Sequence, residues 1–465
     1  MTQIHFYKTY GANGYDHGFD VIQLESDSSY IMTGSSSSSG PGPSQVVLTQ
    51  VDKFGNYLTS RFYGGSRSDI GVKILFQENV GYWIAGYSNS FSSDANFDFY
   101  LIHLNEDFEV VWERTYGSDD WERLYDATLL PDGGILLVGE TEGLTTMEKD
   151  AYILRTDANG EILWQQAFAG PGDEIAFSSA LFDNNSFLIA GKWGIASSNA
   201  WLAKFDLEGA IIWNNYDYLF SEGVGEFKAL VKTDDYIYLA GSYVPTGQDA
   251  DLYRPYRVMC DLSGNVILEH FESSVQESYA SFCLVEQDQL LFAVQIDNPS
   301  FVGVNGPRTA LFRFNEFLNW GEFGFTVFGS KVHPKKIIRT LDGRFALTGF
   351  TEDPGITTGG SNMFLLKIDA TVSSLEVVTQ NQILALDSFD EAGFSIFPNP
   401  TTNILNILLP QDVIGSVISV TDASGKLVMT ESYTESLDFS NLNAGTYQLL
   451  IITNKGVLNM RILVQ

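Results

Sequence analysis

The chain has 465 residues, and 58 acidic against 26 basic side chains give it a formal net charge of −32. This length exceeds what one small core needs, so several domains or one large repeat architecture are expected. A surface this negative repels phosphate backbones and anionic lipid, so we expect no nucleic-acid partner. No apolar run of about 18 residues occurs, so we expect no transmembrane segment.

A short strand ending in glycine recurs along the first part of the chain. Its copies end at Gly34, Gly86, Gly139, Gly191, Gly241, around Val294 and at Gly349. A second strand ending in Asp or Asn follows each copy, and further strand-like segments flank the pair, which makes four strands per unit and seven units of about fifty residues. The pattern predicts an all-β fold: a seven-bladed β-propeller over residues 1–370.

The two ends of this repeat region complement each other. The seventh unit ends at Asp369 without its last strand, whereas the chain begins with IHFYKTYG, which has the look of that strand. We expect the N-terminal strand to complete the last blade and so to remove an exposed sheet edge.

Two stretches carry a resemblance to known repeats, YGGSRSDIGVKILFQENVGYWIAGYS and YGSDDWERLYDATLLPDGGILLVGE. They resemble the bacterial seven-bladed β-propeller repeats in which YGG, an Asp, DGGYIVAG and DxYLxxLDxxGxxxW follow one another. The resemblance covers residues 1–369 and implies the fold. It implies no particular activity, because propellers host many functions.

A turn between strands recurs with Asp, then Gly, then Trp, as in Asp157, Gly160 and Trp164. The spacing differs from the Asp-box of sialidase-like propellers and from the tryptophan-docking repeat of quinoprotein dehydrogenases, and a calcium loop would need more oxygen ligands. The arrangement favours a scaffold, in which Asp caps the turn, Gly takes a positive φ and Trp packs between blades.

An acidic residue lies 17 or 18 residues before most of the recurring glycines. These residues are Asp16, Asp69, Glu122, Asp173 (with Glu174 beside it) and Glu277. One hypothesis is a carboxylate ring at the tunnel mouth that binds Ca²⁺ or a cationic ligand. The alternative is that each carboxylate caps backbone N–H groups of its own or the next blade.

Long, irregular loops between the second and third strands lie on that same face and are typical of a binding surface for glycan or protein. No catalytic residues are assigned, because no GxSxG, HExxH or phosphate-loop pattern occurs. Carboxylate-based polysaccharide hydrolysis stays open, since two acids suffice.

Cys260 and Cys283 either pair or remain free thiols. His17 and His333 could approach each other across the ring closure.

Residues 371–392 lose the repeat and are interpreted as a linker, and the alternating strands of residues 393–465 predict a small Ig-like β-sandwich. This segment resembles the type A sorting domain of the Bacteroidota type IX secretion system. The residues that carry the resemblance are Phe397, Pro398, Asn399, Pro400, Thr401, Gly425, Lys426, Leu442, Gly445 and Tyr447.

The resemblance implies recognition of residues 393–465 by the outer-membrane translocon and cleavage by its sorting peptidase. The cargo would then be secreted or attached to the outer-membrane surface after passing the periplasm, and we expect a signal peptide ahead of Met1 in the precursor. The propeller is expected to bind or adhere to a glycan or protein without a cofactor other than Ca²⁺. Alternatives are a polysaccharide hydrolase with acids at the tunnel mouth, and a protein whose importance lies in its transport.

Overall fold

A computed structural model describes residues 4–12, 14–118, 120–142, 149–170, 172–194, 199–216, 218, 223–245, 254–271, 278–286, 289–296, 308–315, 332–352, 360–368, 379–381, 395–409, 415–422, 427–453 and 456–465. Strands are the only regular elements of this part of the chain, and they number 35. None of the residues described forms a helix long and apolar enough to span a bilayer.

The first strand, β1 (Ile4–Tyr10), precedes five consecutive four-stranded antiparallel sheets. The first two sheets contain β2 (Asp16–Gln23), β3 (Tyr30–Ser36), β4 (Gln45–Val51), β5 (Tyr57–Tyr63), β6 (Asp69–Gln77), β7 (Gly81–Ser88), β8 (Asp98–Leu104) and β9 (Val110–Tyr116). The next three contain β10 (Glu122–Leu129), β11 (Ile135–Thr141), β12 (Asp150–Thr156), β13 (Ile162–Phe168), β14 (Ile175–Asp183), β15 (Ser186–Trp193), β16 (Asn199–Asp206), β17 (Ile211–Asn215), β18 (Gly223–Lys232), β19 (Ile237–Pro245), β20 (Arg254–Cys260) and β21 (Val266–Phe271).

Two further sheets follow. The sixth is described over three strands, β22 (Ser278–Glu286), β23 (Gln289–Ile296) and β24 (Arg308–Asn315). The seventh contains β25 (Val332–Arg339), β26 (Phe345–Thr351), β27 (Asn362–Ile368) and β28 (Thr379–Asn381). Its strand order is β25-β26-β27-β1-β28, because β1 pairs antiparallel with β27 and parallel with β28.

The four-strand meanders arranged in sequence establish the predicted all-β propeller class. The number of blades and the domain limits stay predictions. In the third blade, strands two and three, β11 and β12, are buried on both faces, whereas the outermost strand β13 is largely exposed. Central strands are therefore nearly continuous apolar runs, because neighbouring blades cover both of their faces. One such core joins Ile31 and Leu48 of the first blade to Ile84 and Tyr100 of the second.

The C-terminal region forms two smaller sheets, as expected for a β-sandwich. One contains β29 (Ser395–Phe397), β30 (Ile404–Leu408) and β33 (Ser436–Asp438), and the other contains β31 (Gly415–Asp422), β32 (Leu427–Ser432), β34 (Gly445–Thr453) and β35 (Gly456–Val464). Leu405 and Leu437 of the first sheet share a buried core with Ile418 and Leu449 of the second. The packing of one sheet on the other gives the sandwich.

Candidate functional site

The innermost strand of each of the seven sheets carries a β-bulge, and in all but the sixth, where Val294 takes the place, it lies beside the recurring glycine. In β2, for example, Gly18 pairs with Gly34 and Asp20 pairs with Thr33, so that Phe19 is left without a partner. A Cβ on Gly34 would lie 1.7 Å from the carbonyl oxygen of His17. Glycine is therefore required where the bulged backbone comes close, and each recurring glycine marks a bulge.

These bulges line a cavity of about 610 Å³ at the centre of the ring. The unpaired bulge residues in its lining are Phe19, Val72, Tyr125, Phe177, Lys228 and Lys335. The residues that follow them are Asp20, Lys73, Asp126, Ser178, Ala229 and Lys336. The described lining is thus aromatic with four lysines and two aspartates, and its volume is in the usual range of small-molecule sites.

Lys73 joins the two aspartates of the channel. Its ammonium lies 2.9 Å from Oδ1 of Asp126 and 4.0 Å from Oδ2 of Asp20. Burial alone would lower the pKa of Lys73, but the two carboxylates outweigh burial and raise it. Backbone groups also donate to these carboxylates: Ser179 N donates to Oδ2 of Asp126, and Ile74 N donates to Oδ2 of Asp20, the oxygen that faces Lys73. All four oxygens are engaged, since Val21 N donates to the remaining one.

Lys228 is held from two sides. Its Nζ lies 3.1 Å from Oε2 of Glu226 and 3.2 Å from the ring centroid of Phe177, a cation–π contact. Phe177 in turn meets Tyr125 edge to face with ring centroids 4.9 Å apart. Burial lowers the pKa of Lys228 despite the neighbouring carboxylate of Glu226.

Lys335 and Lys336 have no such partner. Lys335 Nζ lies 5.9 Å from the ring centroid of Phe19 and 5.6 Å from that of Phe350. Among the described residues, no carboxylate lies within 4.0 Å of either ammonium. Burial and the charge of Lys228 lower the pKa of Lys335, and the charge of Lys73 together with burial lowers that of Lys336.

The histidines considered from the sequence do come near one another, but an aromatic ring separates them. His17 stacks on one face of Phe350 with centroids 3.9 Å apart, and His333 stacks with centroids 4.4 Å apart. His17 Nε2 also hydrogen-bonds Ser361 Oγ at 2.8 Å. Burial, with Lys335 and His333 nearby, lowers the pKa of His17 to about 4. The stack is a packing unit beside the channel and offers no shared metal position.

The acids predicted for the tunnel mouth are buried at the starts of the innermost strands. Asp16 and Asp69 are 0% exposed and Glu122 is 1% exposed. In the fourth blade Glu174 takes this buried position, whereas the side chain of the predicted Asp173 is 45% exposed and lies 3.4 Å from Lys192 Nζ. Glu277 lies outside the described residues.

Each buried carboxylate ties the preceding loop to the blade. Oδ2 of Asp69 accepts hydrogen bonds from Gly65 N at 2.9 Å and Ser90 Oγ at 2.8 Å, and its Oδ1 accepts one from Ser88. Glu122 accepts hydrogen bonds from Ser118 N at 3.0 Å and Thr141 Oγ1 at 2.7 Å. Of the predicted tunnel-mouth acids, Asp16, Asp69, Glu122 and Asp173 are described, and none of them lines the cavity. No three His, Cys, Asp or Glu side chains of the described part come together as a metal site. The Ca²⁺ ring stays a prediction, while the capping contacts are present.

One of these positions carries an extra acid from the neighbouring blade. A Cβ on Gly117 would lie 2.1 Å from Oδ1 of Asp98 and 2.4 Å from Oε2 of Glu122, so the two carboxylates flank the same backbone. Burial and the charge of Glu122 raise the pKa of Asp98 to about 6. Gln45 takes the corresponding place beside Asp69, with Nε2 at 3.3 Å from Oδ2.

The recurring Asp–Gly–Trp turn connects neighbouring blades. Asp157 Oδ1 accepts from Asn159 N and Glu161 N, both at 2.8 Å, and Gly160 has φ +78°. A Cβ on Gly160 would lie 2.7 Å from the ring of Trp112 in the preceding blade. Tyr116 of that blade donates its hydroxyl to the Gly160 carbonyl at 2.7 Å. The turn is therefore a scaffold feature.

The sorting motif is held against the end of the chain. Thr401 N donates to Leu463 O at 2.8 Å, Gln465 N donates to Thr401 O at 2.9 Å, and Leu463 N donates to Asn399 Oδ1 at 2.9 Å. Tyr447 donates its hydroxyl to Asn443 O at 2.8 Å. Phe397 is 46% exposed.

The other motif residues divide between described and undescribed positions. Leu442 packs against the sandwich core, and Gly445 begins β34. Pro398 and Pro400 flank Asn399 with both preceding peptide bonds cis. Gly425 and Lys426 lie outside the described residues. Cys260 is a buried free thiol, and the side chain of Cys283 is likewise outside the described part.

Comparison with known proteins identifies the C-terminal region. Residues 395–465 match the family described as the secretion system C-terminal sorting domain. The region is a type IX sorting domain. The protein is therefore exported cargo with a secreted or cell-surface location, and its sorting domain interacts with the secretion system. No curated protein matches the chain.

Solved structures resemble the chain at low identity. PorZ, a surface component of the type IX secretion system of Porphyromonas gingivalis, is 11% identical with a TM-score of 0.41, over 98% of this chain and 60% of that one. A family PL25 ulvan lyase is 9% identical with a TM-score of 0.49, over 76% and 94%. The propeller domain of the trilobed protease of Pyrococcus furiosus is 10% identical with a TM-score of 0.44, over 78% and 97%. The chain spans 60% of the length of PorZ, and none of these likenesses bears on function.

Sequence reasoning missed the lysines of the channel. Lys73 lies 13 residues before Gly86, and Lys336 lies 13 residues before Gly349. A fixed distance from each recurring glycine would have found them, because that glycine marks the bulge. The acids lie 17 or 18 residues before the recurring glycines, and that spacing leads to the buried carboxylates.

Proposed function

We propose that the propeller acts outside the cell as a binding module for a glycan or protein, with the central cavity as its ligand site. The observation that carries the proposal is the cavity of about 610 Å³, lined by Phe19, Tyr125, Phe177 and polar side chains on the rigid innermost strands. Aromatic faces stack on the apolar faces of sugar rings and of flat side chains, while a few polar groups fix orientation.

The contacts that Asp20 and Asp126 already make in the cavity favour binding without turnover over hydrolysis. Glycoside hydrolysis needs one carboxylic acid to protonate the leaving group and a second to act as base or nucleophile. The described lining offers Asp20 and Asp126, and Lys73 lies between them while backbone N–H groups engage their remaining oxygens. Every oxygen of the two carboxylates therefore already has a donor or a cation as a partner.

The loop face remains part of the proposal as an additional contact surface. Among the long loops between the second and third strands, those of residues 37–44 and 89–97 are described, and Ser44 and Asn89 there contact the loop that enters the second blade. A ligand longer than the cavity would extend over such loops.

The test compares a channel-filling variant with a matched surface variant. Ala229 lines the cavity, so Ala229→Trp fills it, whereas Ala158→Trp places the same side chain on an exposed turn. Purified wild type and Ala158→Trp are expected to bind members of a glycan array, and Ala229→Trp is expected to lose that binding. Binding retained by Ala229→Trp would move the site elsewhere, and reducing-sugar release by wild type would establish the hydrolase.

Export and processing are tested separately. We propose that residues 393–465 are recognised by the translocon and removed by the sorting peptidase. Fused to a periplasmic reporter in a host with this secretion system, the segment is expected to place the reporter outside the cell at reduced mass. Asn399→Ala, which removes the contact to Leu463 N, is expected to reduce export, and unchanged export would show that this contact is dispensable.

A further inference from the structure

The central channel has a charge balance opposite to that of the whole chain. The chain has a formal net charge of −32, yet the described lining of the cavity contains four lysines against two aspartates. Even the partial removal of an ammonium from water is costly, so lysines rarely gather in a cavity without partners. Their concentration at one place in an acidic protein therefore needs an explanation.

Internal partners account for half of these lysines. Lys73 is neutralised by Asp126 and Asp20, and Lys228 is paired with Glu226. Lys335 and Lys336 are the remainder: both line the cavity, they are adjacent in β25, and no carboxylate of the described part lies within 4.0 Å of either. Asp20 and Asp126 attract Lys336 from a greater distance, but the charge of Lys73 and burial outweigh them. Like charges also surround them, since Lys73 lies beside Lys336 and Lys228 beside Lys335.

We propose that the channel binds an acidic saccharide, with the carboxylate or sulfate of the sugar between Lys335 and Lys336 and the sugar ring against the neighbouring aromatic faces. The proposal rests on the proposed binding function and specifies its ligand class. An anion placed there neutralises adjacent ammonium groups and forms charge-assisted hydrogen bonds. Phe19 lies close to Lys335, and Tyr125 and Phe177 line the same cavity, so aromatic side chains are available near the charge.

The acidic exterior of the protein limits the length of an anionic ligand that the channel can bind. A long polyanion would meet repulsion from the outer surface, whereas a short acidic sugar fits within the cavity and is screened from that surface. The channel therefore favours chain ends or short oligosaccharides over extended polyanions. Raising the concentration of NaCl is expected to weaken binding of the acidic sugar, since the interaction is between partly exposed charges.

Calorimetric titration with matched sugars tests the proposal. The probes are digalacturonate, sulfated galactobiose, unmodified galactobiose and sodium sulfate. The wild type is expected to bind one or both acidic disaccharides and to bind galactobiose and sulfate at least about tenfold more weakly, the factor expected for a lost charge-assisted contact. Affinities for both acidic disaccharides that equal the affinity for galactobiose would overturn the proposal, and so would an affinity for sulfate as high as that for the acidic disaccharides.

Lysine variants locate the site. Lys336→Met and Lys335→Met keep an unbranched side chain that is one atom shorter and remove the charge, and each is expected to weaken binding of the acidic probe about tenfold. Lys53→Met, at an exposed position outside the channel, is the matched control and should bind like the wild type. Wild-type affinity in both channel variants would contradict the proposal.

Different results would contradict the binding function of the channel and the acidic nature of its ligand. If neutral glycans bind and Ala229→Trp abolishes that binding, the channel is a binding site but its ligand is not anionic. If no saccharide binding depends on Ala229, the channel is not the site and both proposals fail. Circular dichroism and thermal melting of every variant show whether a loss reflects unfolding, and Lys336→Met is expected to fold because it removes repulsion with Lys73.

Discussion

At the start of the innermost strands the ionisable side chains are buried and surrounded by hydrogen-bond donors, whereas at the bulges four residues later they face a cavity. Asp69 and Lys73 of β6 illustrate the difference, as do Glu122 and Asp126 of β10. Asp69 accepts hydrogen bonds from two serines and a backbone amide, while Lys336 at the equivalent bulge of the last blade meets another lysine. Strand starts therefore maintain the fold, and bulges are available for a ligand.

Removal of the closing strand should have the largest effect, because both regions depend on a closed ring. β1 completes the seventh sheet, and its Lys8 and Tyr10 contact the turn of the first blade through Asn56 Oδ1 at 2.6 Å and Gly55 O at 2.8 Å. Deletion of residues 4–11 is expected to lower the free energy of unfolding by about 5 kcal/mol or more. Urea denaturation measures this loss, and an unchanged midpoint would show that closure is not needed.

Loss of a strand-start carboxylate should have the next largest effect. Asp69→Ala removes the acceptor for Gly65 N, Ser88 Oγ and Ser90 Oγ and leaves these donors buried, so a destabilisation of about 3 kcal/mol is expected. Asp107→Ala, at an exposed position, is the control and should be nearly neutral. If Asp69→Ala instead abolished a measurable heat of Ca²⁺ binding without loss of stability, the acid would belong to a metal site.

A substitution of Asp98, which lies beside Glu122 of the next blade, is expected to stabilise the protein. The pKa of Asp98 is about 6, above its usual 3.8, so the fold holds this proton more tightly than the unfolded chain, and stability falls as pH rises between these values. Asp98→Asn is expected to raise the free energy of unfolding at pH 7 by about 1–2 kcal/mol. The gain should disappear below about pH 4, where Asp98 is protonated in both states. A gain that persists at low pH would point to a cause other than charge.

The smallest effect on stability is expected at the bulge. Lys336→Met removes a charge that lies beside Lys73, so the free energy of unfolding should stay within about 0.5 kcal/mol of the wild type or rise. Thermal melting in parallel with Asp69→Ala measures the contrast between the two regions. A loss as large as that of Asp69→Ala would make Lys336 a structural residue and would remove the distinction.

Alkaline pH provides a further test of the channel alone. The pKa values of Lys335 and Lys336 are lowered, so these groups lose their charge at a lower pH than ordinary lysines do. Affinity for an acidic sugar should therefore begin to fall at a lower pH than the ordinary lysine pKa would give, while Lys336→Met shows a smaller decrease. Equal pH profiles for the two proteins would exclude Lys336 from the site.

Several features were predictable because their causes are local. The Asp157 turn depends on an Asp that caps its own backbone and a Gly with φ +78°. Both can be recognised from four consecutive residues. The sorting motif was recognised from contiguous residues such as Phe397 and Asn399. The sequence spacing pointed to Asp173 with Glu174 beside it and could not decide which of the two is buried, since spacing does not distinguish two adjacent acids whose side chains point in different directions.

By itself, the sequence determined the strand class, the repeat and the sorting domain, since each rests on residues close together along the chain. Recurring glycines such as Gly34 and Gly86 indicated the units because a bulged backbone leaves no space for a Cβ. Only the tertiary structure decided which side chains meet at the centre. Phe19, Lys73, Lys228 and Lys336 belong to different blades, and their proximity exists only when the sheets surround a common cavity.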